Sequence, residues 1–488
     1  MIQKIVHEGR VMAGQPTEPA LRAKLQEVER RLRTGGAPLT LYVQRGRLLD
    51  RLGRLDEAAN AYAEVLQRDP NHFGALNDLA LLLYRQGRRG DALLLFADGV
   101  ERHPKNAVAH ANFGFVLLKG RDLERARAAY ETAVRLDPSN AEAQRGLAAV
   151  RTQLGEVVEA SAAGDASLVR IPYRGTGTPI EVLLLVTLGA GNVAAERFLD
   201  DSIFATTKLT VELHTGPLPP HAIVFNAVGD ADSAGPALTR VAALLADERG
   251  VVLNPPDAVA ESGRLANAAR LRGIPGVRTA RTALLPRAAL VAPDGAALLA
   301  QHGFAFPLLL RTPGFHTGAN FELVAAAREL SVVASILPGE ELLVLEYVDT
   351  RAADGSWAKY RAMLVGGQVF PLHLAIGAQW KVHYFSAEMA ERAAYREREQ
   401  RYLDDLPATL GPAATAALGQ IRAALGLDYA GIDFGFTPAG ELVVFEANAT
   451  MVVVPPGADE RWSYRRAAIE RVGEAVRAMV IARAAAHT

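Results

Sequence analysis

Near the C-terminal end, the stretch GIDFGFTPAGELVVFEANATM (residues 431 to 451) sets Asp433, Glu446 and Asn448 among apolar, aromatic and β-branched residues. That composition predicts two strands, and Pro438-Ala439-Gly440 supplies the turn between them. A turn centred on Ala439-Gly440 pairs Phe434 with Phe445 on one face of the ribbon. It pairs Asp433 with Glu446 on the other, with Asn448 two residues further along that face. Carboxylates directly opposite each other repel unless something positive lies between them. Two carboxylates and an amide oxygen suit a hard cation such as Mg²⁺. A solvated hairpin in another register, in which the acids never meet, is the competing reading of the same residues.

Other segments place further charge and glycine where a phosphate ligand needs them. FPLLLRTPGFHTGANFELVAAARELSVV (306 to 333) predicts a strand ending in Arg311, a loop holding Gly314, His316, Thr317 and Gly318, and a helix beginning near Asn320. Backbone N–H groups of such a loop offer donors to phosphate oxygens, and the arginine neutralises them. No Gly-Lys-Ser/Thr follows, so this is not a Walker loop, and two glycines in such a link also serve turn geometry alone. ELLVLEYVDT (341 to 350) is an apolar strand breaking into Glu346, Tyr347, Val348 and Asp349. KYRAMLVGGQVFPLHLAIG then gives two strands joined at Gly366-Gly367, the first carrying Arg361. HLAIGAQWKVHYFSAEM (373 to 389) concentrates His373, Trp380, Lys381, His383 and Tyr384. Lys381 suits an anionic group and His383 a proton near neutral pH. A snorkelling lysine, a hydrogen-bonded histidine and a packed tryptophan are the ordinary counterparts.

The elements that must hold these residues belong to a chain of 488 residues, enough for roughly three domains. Its 53 Lys+Arg against 54 Asp+Glu give a formal charge of -1, so nothing draws the whole molecule to nucleic acid or an anionic membrane. Zero cysteines exclude disulfides, thiolate metal sites and a cysteine nucleophile. The N-terminal stretch carries charges where a signal peptide needs an apolar core. The longest uncharged run, Ala362 to Trp380, is broken by glycine, proline and histidine. A cytoplasmic protein without membrane or nucleic-acid partners is expected, and homo-oligomers remain open.

A repeat fills the first third. Pro70, Pro104 and Pro138 recur every 34 residues, and so do Ala58/Ala92/Ala126, Tyr62/Phe96/Tyr130 and Gly46/Ala80/Gly114. Small residues permit close helix contact, the aromatic fills the groove, and proline ends the second helix. These positions resemble the tetratricopeptide repeat (TPR) pattern over Ala37 to Pro138, with Ser139 to Leu154 as a capping helix. Arg121 departs from it, standing where Gly53 and Gly87 mark the inter-helix turn. The resemblance implies a surface for a peptide or protein; a solenoid that only props up or dimerises an enzyme is the alternative.

Beyond an Ala/Ser/Gly-rich linker (156 to 177), apolar strands such as IEVLLLVTL and HAIVFNAVGD alternate with helical segments such as ALTRVAALLADE, the texture of a parallel α/β layer. Asn226, Asp230 and Asp232 lie past a strand's carboxyl end, where such sheets place ligands or ordinary turns. The order that follows is a cationic strand, a glycine loop, a Glu-aromatic-Val hinge, the Arg361 hairpin and the Asp433/Glu446/Asn448 hairpin. From Thr178 to Ala482 this order resembles the ATP-grasp superfamily, in particular carboxylate-amine ligases such as glutathione synthetase and the ribosomal-protein glutamate ligases. The fold class implied is an all-α TPR solenoid followed by an α/β pre-ATP-grasp layer (178–256) and an α+β ATP-grasp fold (257–345 and 346–488), after an N-terminal helical segment (1–36).

The resemblance also implies site roles. Asp433, Glu446 and Asn448 fall on magnesium-ligand positions, for Mg²⁺ or Mn²⁺ bridging ATP phosphates. Leu345 to Val348, with Glu346 and Tyr347, fall on the adenine hinge, and Asp349 on a ribose contact. Arg311 and Arg264, the latter in LNPPDAVAESGRL, stand where the family usually has lysine. Arginine keeps the charge but changes the donor geometry. Arg361, Lys381 and His383 become the candidates nearest the reacting groups. The implied activity is ATP-dependent joining of a carboxylate to an amine; a kinase on the same site and a non-catalytic ATP-sensing TPR scaffold are the alternatives. AERAAYREREQRYLDD (390 to 405) reads as a solvated helix laced with Glu-Arg pairs, and the last segment as a closing amphipathic helix with Trp462 and Tyr464 in core or lid.

Overall fold

The computed structural model describes residues 18–33, 37–154, 167–314, 318, 320–382, 387–457 and 459–486. The chain divides into two compact units, 1–156 and 157–488. The first is entirely helical among its described residues: α1 (Glu18–Leu32), α2 (Leu39–Arg51), α3 (Leu55–Arg68), α4 (Phe73–Arg85), α5 (Arg89–Arg102), α6 (Ala107–Lys119), α7 (Leu123–Leu136) and α8 (Ala141–Gln153). The 34-residue period is visible as packing. A Cβ on Gly46 would lie 2.5 Å from the Tyr62 ring, and one on Gly114 3.0 Å from the Tyr130 ring, so both positions stay small. Asn106 accepts from the Val108 and Ala109 amides to start α6. At the inter-helix turns Gly53 and Gly87 have φ of +74° and +81°, and Arg121 is held in the same left-handed region at +62°.

Among its described residues the second unit holds three sheets. In the first, β1 (Leu168–Arg170), β2 (Ile180–Val186), β3 (Phe204–Thr210), β4 (Ile223–Asn226) and β5 (Val251–Leu253) run in the order β1-β3-β2-β4-β5, with α9 (Gly235–Leu244) before β5. All neighbours are parallel except the short edge strand β1. The continuous apolar run of β2 reflects burial on both faces.

Then come α10 (Pro256–Ala260), α11 (Arg264–Arg270), β6 (Val277–Thr279), β7 (Thr282–Pro286), α12 (Arg287–Val291), α13 (Gly295–Gln301), β8 (Leu308–Arg311), β9 (Phe321–Val324), α14 (Leu330–Ile336) and β10 (Glu341–Glu346). Four of these strands form an antiparallel sheet ordered β7-β10-β8-β9. Here one expectation fails. The segment after Asn320 is a strand paired to β8, not a helix, and the next α-helix starts only at Leu330. β8 and β9 are therefore antiparallel neighbours, and among the described residues no helix N-terminus follows directly on the glycine-containing link.

The last elements are β11 (Trp357–Val365), β12 (Gln368–Gly377), α15 (Ala393–Asp404), α16 (Leu406–Leu425), β13 (Tyr429–Phe436), β14 (Leu442–Asn448) and α17 (Arg466–Ala485). Their sheet runs β12-β11-β13-β14-β6, antiparallel except for the β14–β6 pair. One core joins Leu183 and Leu185 of the parallel sheet to Leu364, Ile432 and Phe434. Another joins Leu184 and Phe225 to Met363, Tyr429 and Val476. The four-stranded sheet closes a separate core around Leu299, Leu308, Leu310, Val324 and Val344. An α solenoid followed by an α/β layer and an α+β region is thus the class observed. Among the described residues no helix is long and apolar enough to cross a membrane.

Candidate functional site

A cavity of about 1300 Å³ opens inside the second unit where its sheets meet. Pockets for a single small ligand measure about 300–1,000 Å³, so there is room for more than one. The four-stranded sheet contributes Arg311, Phe321 and Leu345 to Val348, the five-stranded sheet Lys359, Arg361, His373, Asp433, Glu446 and Asn448, and the loop after β2 contributes Gly191 and Asn192.

Four of these residues form a straight row across the five-stranded sheet. His373 on β12 stands opposite Arg361 on β11, Arg361 opposite Asp433 on β13, and Asp433 opposite Glu446 on β14. The expected pairing of the two acids holds, but the expected Phe434–Phe445 pair does not: Phe434 faces Val444. At the turn the register is one residue off, with Phe436 opposite Leu442 and not Val443, and a bulge at Phe445 restores it at Glu446. Without that bulge the ladder would put Asp433 opposite Phe445 and turn Glu446 and Asn448 to the other face.

Asp433 is buried. Arg361 donates from Nε to its Oδ1 at 2.6 Å and from an Nη to Oδ2 at 2.8 Å, and Lys359 Nζ donates to Oδ2 at 3.1 Å. Burial alone would raise this carboxyl, but the Arg361 and Lys359 charges outweigh it and hold it well below the usual range. Burial, reinforced by the Arg361 charge, keeps the His373 imidazole well below its ordinary value, hence neutral. Glu446 is bound through Oε1 by Arg264 and by Asn448 Nδ2 at 2.9 Å. Arg264 also reaches Asp232 at 2.6 Å, which gives that post-strand aspartate a place at the site. Burial, together with Arg264, lowers Arg311 to about 10, still protonated at neutral pH, and its guanidinium lies 5.3 Å from the Phe321 ring centre.

The facing acids are therefore neutralised from the flanks, by Arg361 and Lys359 on one side and Arg264 on the other. A cation between them is not required to explain their opposition, which corrects that step of the sequence argument. Two carboxylates and an amide on one face are the donor types a hard divalent ion takes, and both contacts of Glu446 among the described residues fall on a single oxygen, while the Asn448 amide oxygen accepts from the Thr450 amide at 2.9 Å and the Thr450 hydroxyl at 2.8 Å. No group of three His, Cys, Asp or Glu suited to a metal occurs among the described residues.

The hinge segment is partly as expected. Glu346, Tyr347 and Val348 line the cavity, but the Glu346 carboxylate is engaged by Arg278 at 2.8 Å and by the Arg281 amide at 3.1 Å. Asp349 turns to the Arg351 amide at 3.0 Å and is not part of the cavity wall, where Thr350 stands instead. Lys381 donates to the Phe321 carbonyl at 2.7 Å, and Trp380 sets its edge against Phe321 at 5.3 Å between ring centres, so both reach the four-stranded sheet. Gly318 lines the cavity and Gly314 does not. His316, Thr317, His383 and Tyr384 lie outside the described residues.

Two features escaped the sequence reading. Lys359 lies two residues before Arg361, hence on the same strand face, and that period-2 spacing was the available signal. The helix read as solvated, α15, buries Glu399 completely; Tyr464 Oη donates to it at 2.5 Å and Arg465 Nε lies 3.2 Å away. Burial raises that carboxyl, and a one-letter pattern of Glu and Arg gives no sign of it.

Comparison with known proteins adds the following. The tetratricopeptide repeat family model matches residues 43–107 and 113–174. Among solved structures, MamA (41-end) from Desulfovibrio magneticus RS-1 is 22% identical, covering 32% of this chain and 82% of its own, with a TM-score of 0.26. A tetratricopeptide repeat protein from Parabacteroides merdae ATCC 43184 is 18% identical over 28% of this chain and 55% of its own, TM-score 0.26. VanG D-Ala:D-Ser ligase from Enterococcus faecalis is 13% identical over 63% of this chain and 100% of its own, TM-score 0.41. No curated protein matches the sequence. The chain carries N-terminal tetratricopeptide repeats ahead of a separate three-sheet unit.

Proposed function

We propose that this protein is an ATP- and Mg²⁺-dependent ligase that joins a carboxylate to an amine through an acyl phosphate, its repeats recruiting a peptide, protein or carrier-bound substrate. The observation that supports this reading is the convergence of Arg264, Arg311, Lys359, Arg361 and Lys381 with an opposed pair of carboxylates, in one cavity whose other wall is the hinge strand.

A carboxylate is a poor electrophile. Transfer of the γ-phosphoryl group to its oxygen, with ADP leaving, makes an acyl phosphate; attack by the amine nitrogen then expels phosphate and forms the C–N bond. Such chemistry is governed by positioning and charge. Arg361, aimed by its two bonds to Asp433, presents the rest of its fork to the transferring group. Arg311 and Arg264 hold phosphate oxygens, and Lys381 steadies the acid. A divalent ion held by Asp433, Glu446 and Asn448 supplies charge neutralisation of the phosphates. Neutral His373 adds no charge beside Arg361, and His383 is the residue proposed to accept the amine's proton. The backbone of Leu345 to Val348 takes the adenine edge, while Glu346, tied to Arg278, braces the hinge.

The test is ADP release with Mg-ATP and a fractionated cell extract, comparing wild type with Glu446→Ala and weighing any new product. Glu446→Ala is expected to abolish turnover while the fold persists, because Arg264 keeps Asp232 as a partner. A product equal to acid plus amine minus water supports the ligase. A phosphorylated product without condensation points to the kinase, and ATP binding with no stimulated turnover points to the scaffold.

A further inference from the structure

Asp433 has no idle oxygen in this structure. Arg361 takes both, and Lys359 shares Oδ2. The two cations differ in how readily they can let go. Arg361 is a planar fork matched to the carboxylate by two parallel bonds, and it sits directly across the ladder from Asp433. Lys359 makes one longer contact from a flexible four-carbon stem, and its side chain is 18% exposed on the cavity wall.

We propose that Lys359 is a positioning residue that, beside Arg361, occupies Oδ2 of Asp433 until nucleotide arrives. The ammonium and a divalent ion compete for Oδ2, and bound phosphates resolve the competition by drawing the ammonium away. Free metal therefore loads poorly, and metal and nucleotide enter together. This rests on the reading of the site given above, because it takes Asp433 as a metal ligand.

The competition is read by titrating Mn²⁺ alone into the nucleotide-free full-length protein, by calorimetry or by the loss of the free-ion paramagnetic signal. Lys359→Met keeps the stem and the Arg361–Asp433 pair while removing the charge. It is expected to bind Mn²⁺ about tenfold more tightly than wild type, the scale of one charge-assisted hydrogen bond. Lys359→Arg keeps the charge and is expected to stay within about twofold of wild type, a difference well below one such bond. Equal Mn²⁺ affinity in wild type and Lys359→Met overturns the proposal, as does an equal gain in both variants. A wild-type protein that binds no ATP even with Mn²⁺ present overturns instead the ligase reading beneath it, so the two failures are distinct.

Discussion

His373 shows how a residue can matter at this site without carrying charge. It faces Arg361 across the ladder, and burial with the Arg361 and Lys359 charges holds it neutral. The unfolded imidazole takes up a proton as pH falls through about 6.5, whereas the folded one does not, so the unfolded state binds more protons there. Stability is then complete above that pH and is lost below it at up to about 1.4 kcal/mol per pH unit until the folded value is reached. His373→Gln is expected to lose less melting temperature than wild type between pH 7 and pH 5 in scanning calorimetry; identical losses count against a neutral buried imidazole. His373 was visible in the sequence as one member of an aromatic and basic cluster. Its place in the row was not, because a strand sequence gives a face but not a neighbour.

At the scale of elements, the bulge at Phe445 and the turn before it decide which side chains enter the cavity. A turn centred on Ala439-Gly440 predicts the Asp433–Glu446 pair from a register one residue off at the turn and without the bulge. The two errors cancelled at the acids and surfaced at Phe434, whose partner is Val444. The strand β9 is not legible in the sequence because Phe-Glu-Leu-Val runs straight into an alanine-rich helical pattern, and four residues are too few for either period to win. In the repeats the period of 34 carried the elements correctly, down to the place where it is strained. Arg121 sits at φ +62°, where its glycine counterparts carry no Cβ penalty. Arg121→Gly is expected to stabilise the helical unit by about 1 kcal/mol in urea unfolding. A neutral or destabilising result means that the arginine side chain makes good its backbone cost.

At the scale of the molecule, the chain divides at 156 into two compact units, each with hydrophobic cores of its own among the described residues. Among the described residues Tyr62, Phe96 and Tyr130 anchor the cores of the first unit, and the cores of the second are built from its own sheets and helices. Removing residues 1–156 is therefore expected to leave a folded protein whose ATP affinity matches the full chain in calorimetry, while recruitment of any carrier-bound substrate is lost. Loss of ATP binding on truncation places the repeats in the nucleotide site and defeats that separation.

What the sequence by itself determined was periodic or local: the 34-residue repeat, the apolar strands of the parallel layer, the glycine turn at 366–367 and the opposed acids of one hairpin. Periodicity reports which face of an element is buried, and turn residues report where the chain reverses; both are properties of neighbouring residues. Tertiary structure alone decided that Arg264 reaches across 182 positions to Glu446 and that Lys359 and Arg361 close on Asp433 from a strand more than 70 positions away. It also decided that Glu399, in a helix written as solvated, is buried against Arg465 and Tyr464. Charge pairs between distant elements leave no period in the chain, because Coulomb attraction acts on where the fold puts a side chain and not on its place in the sequence.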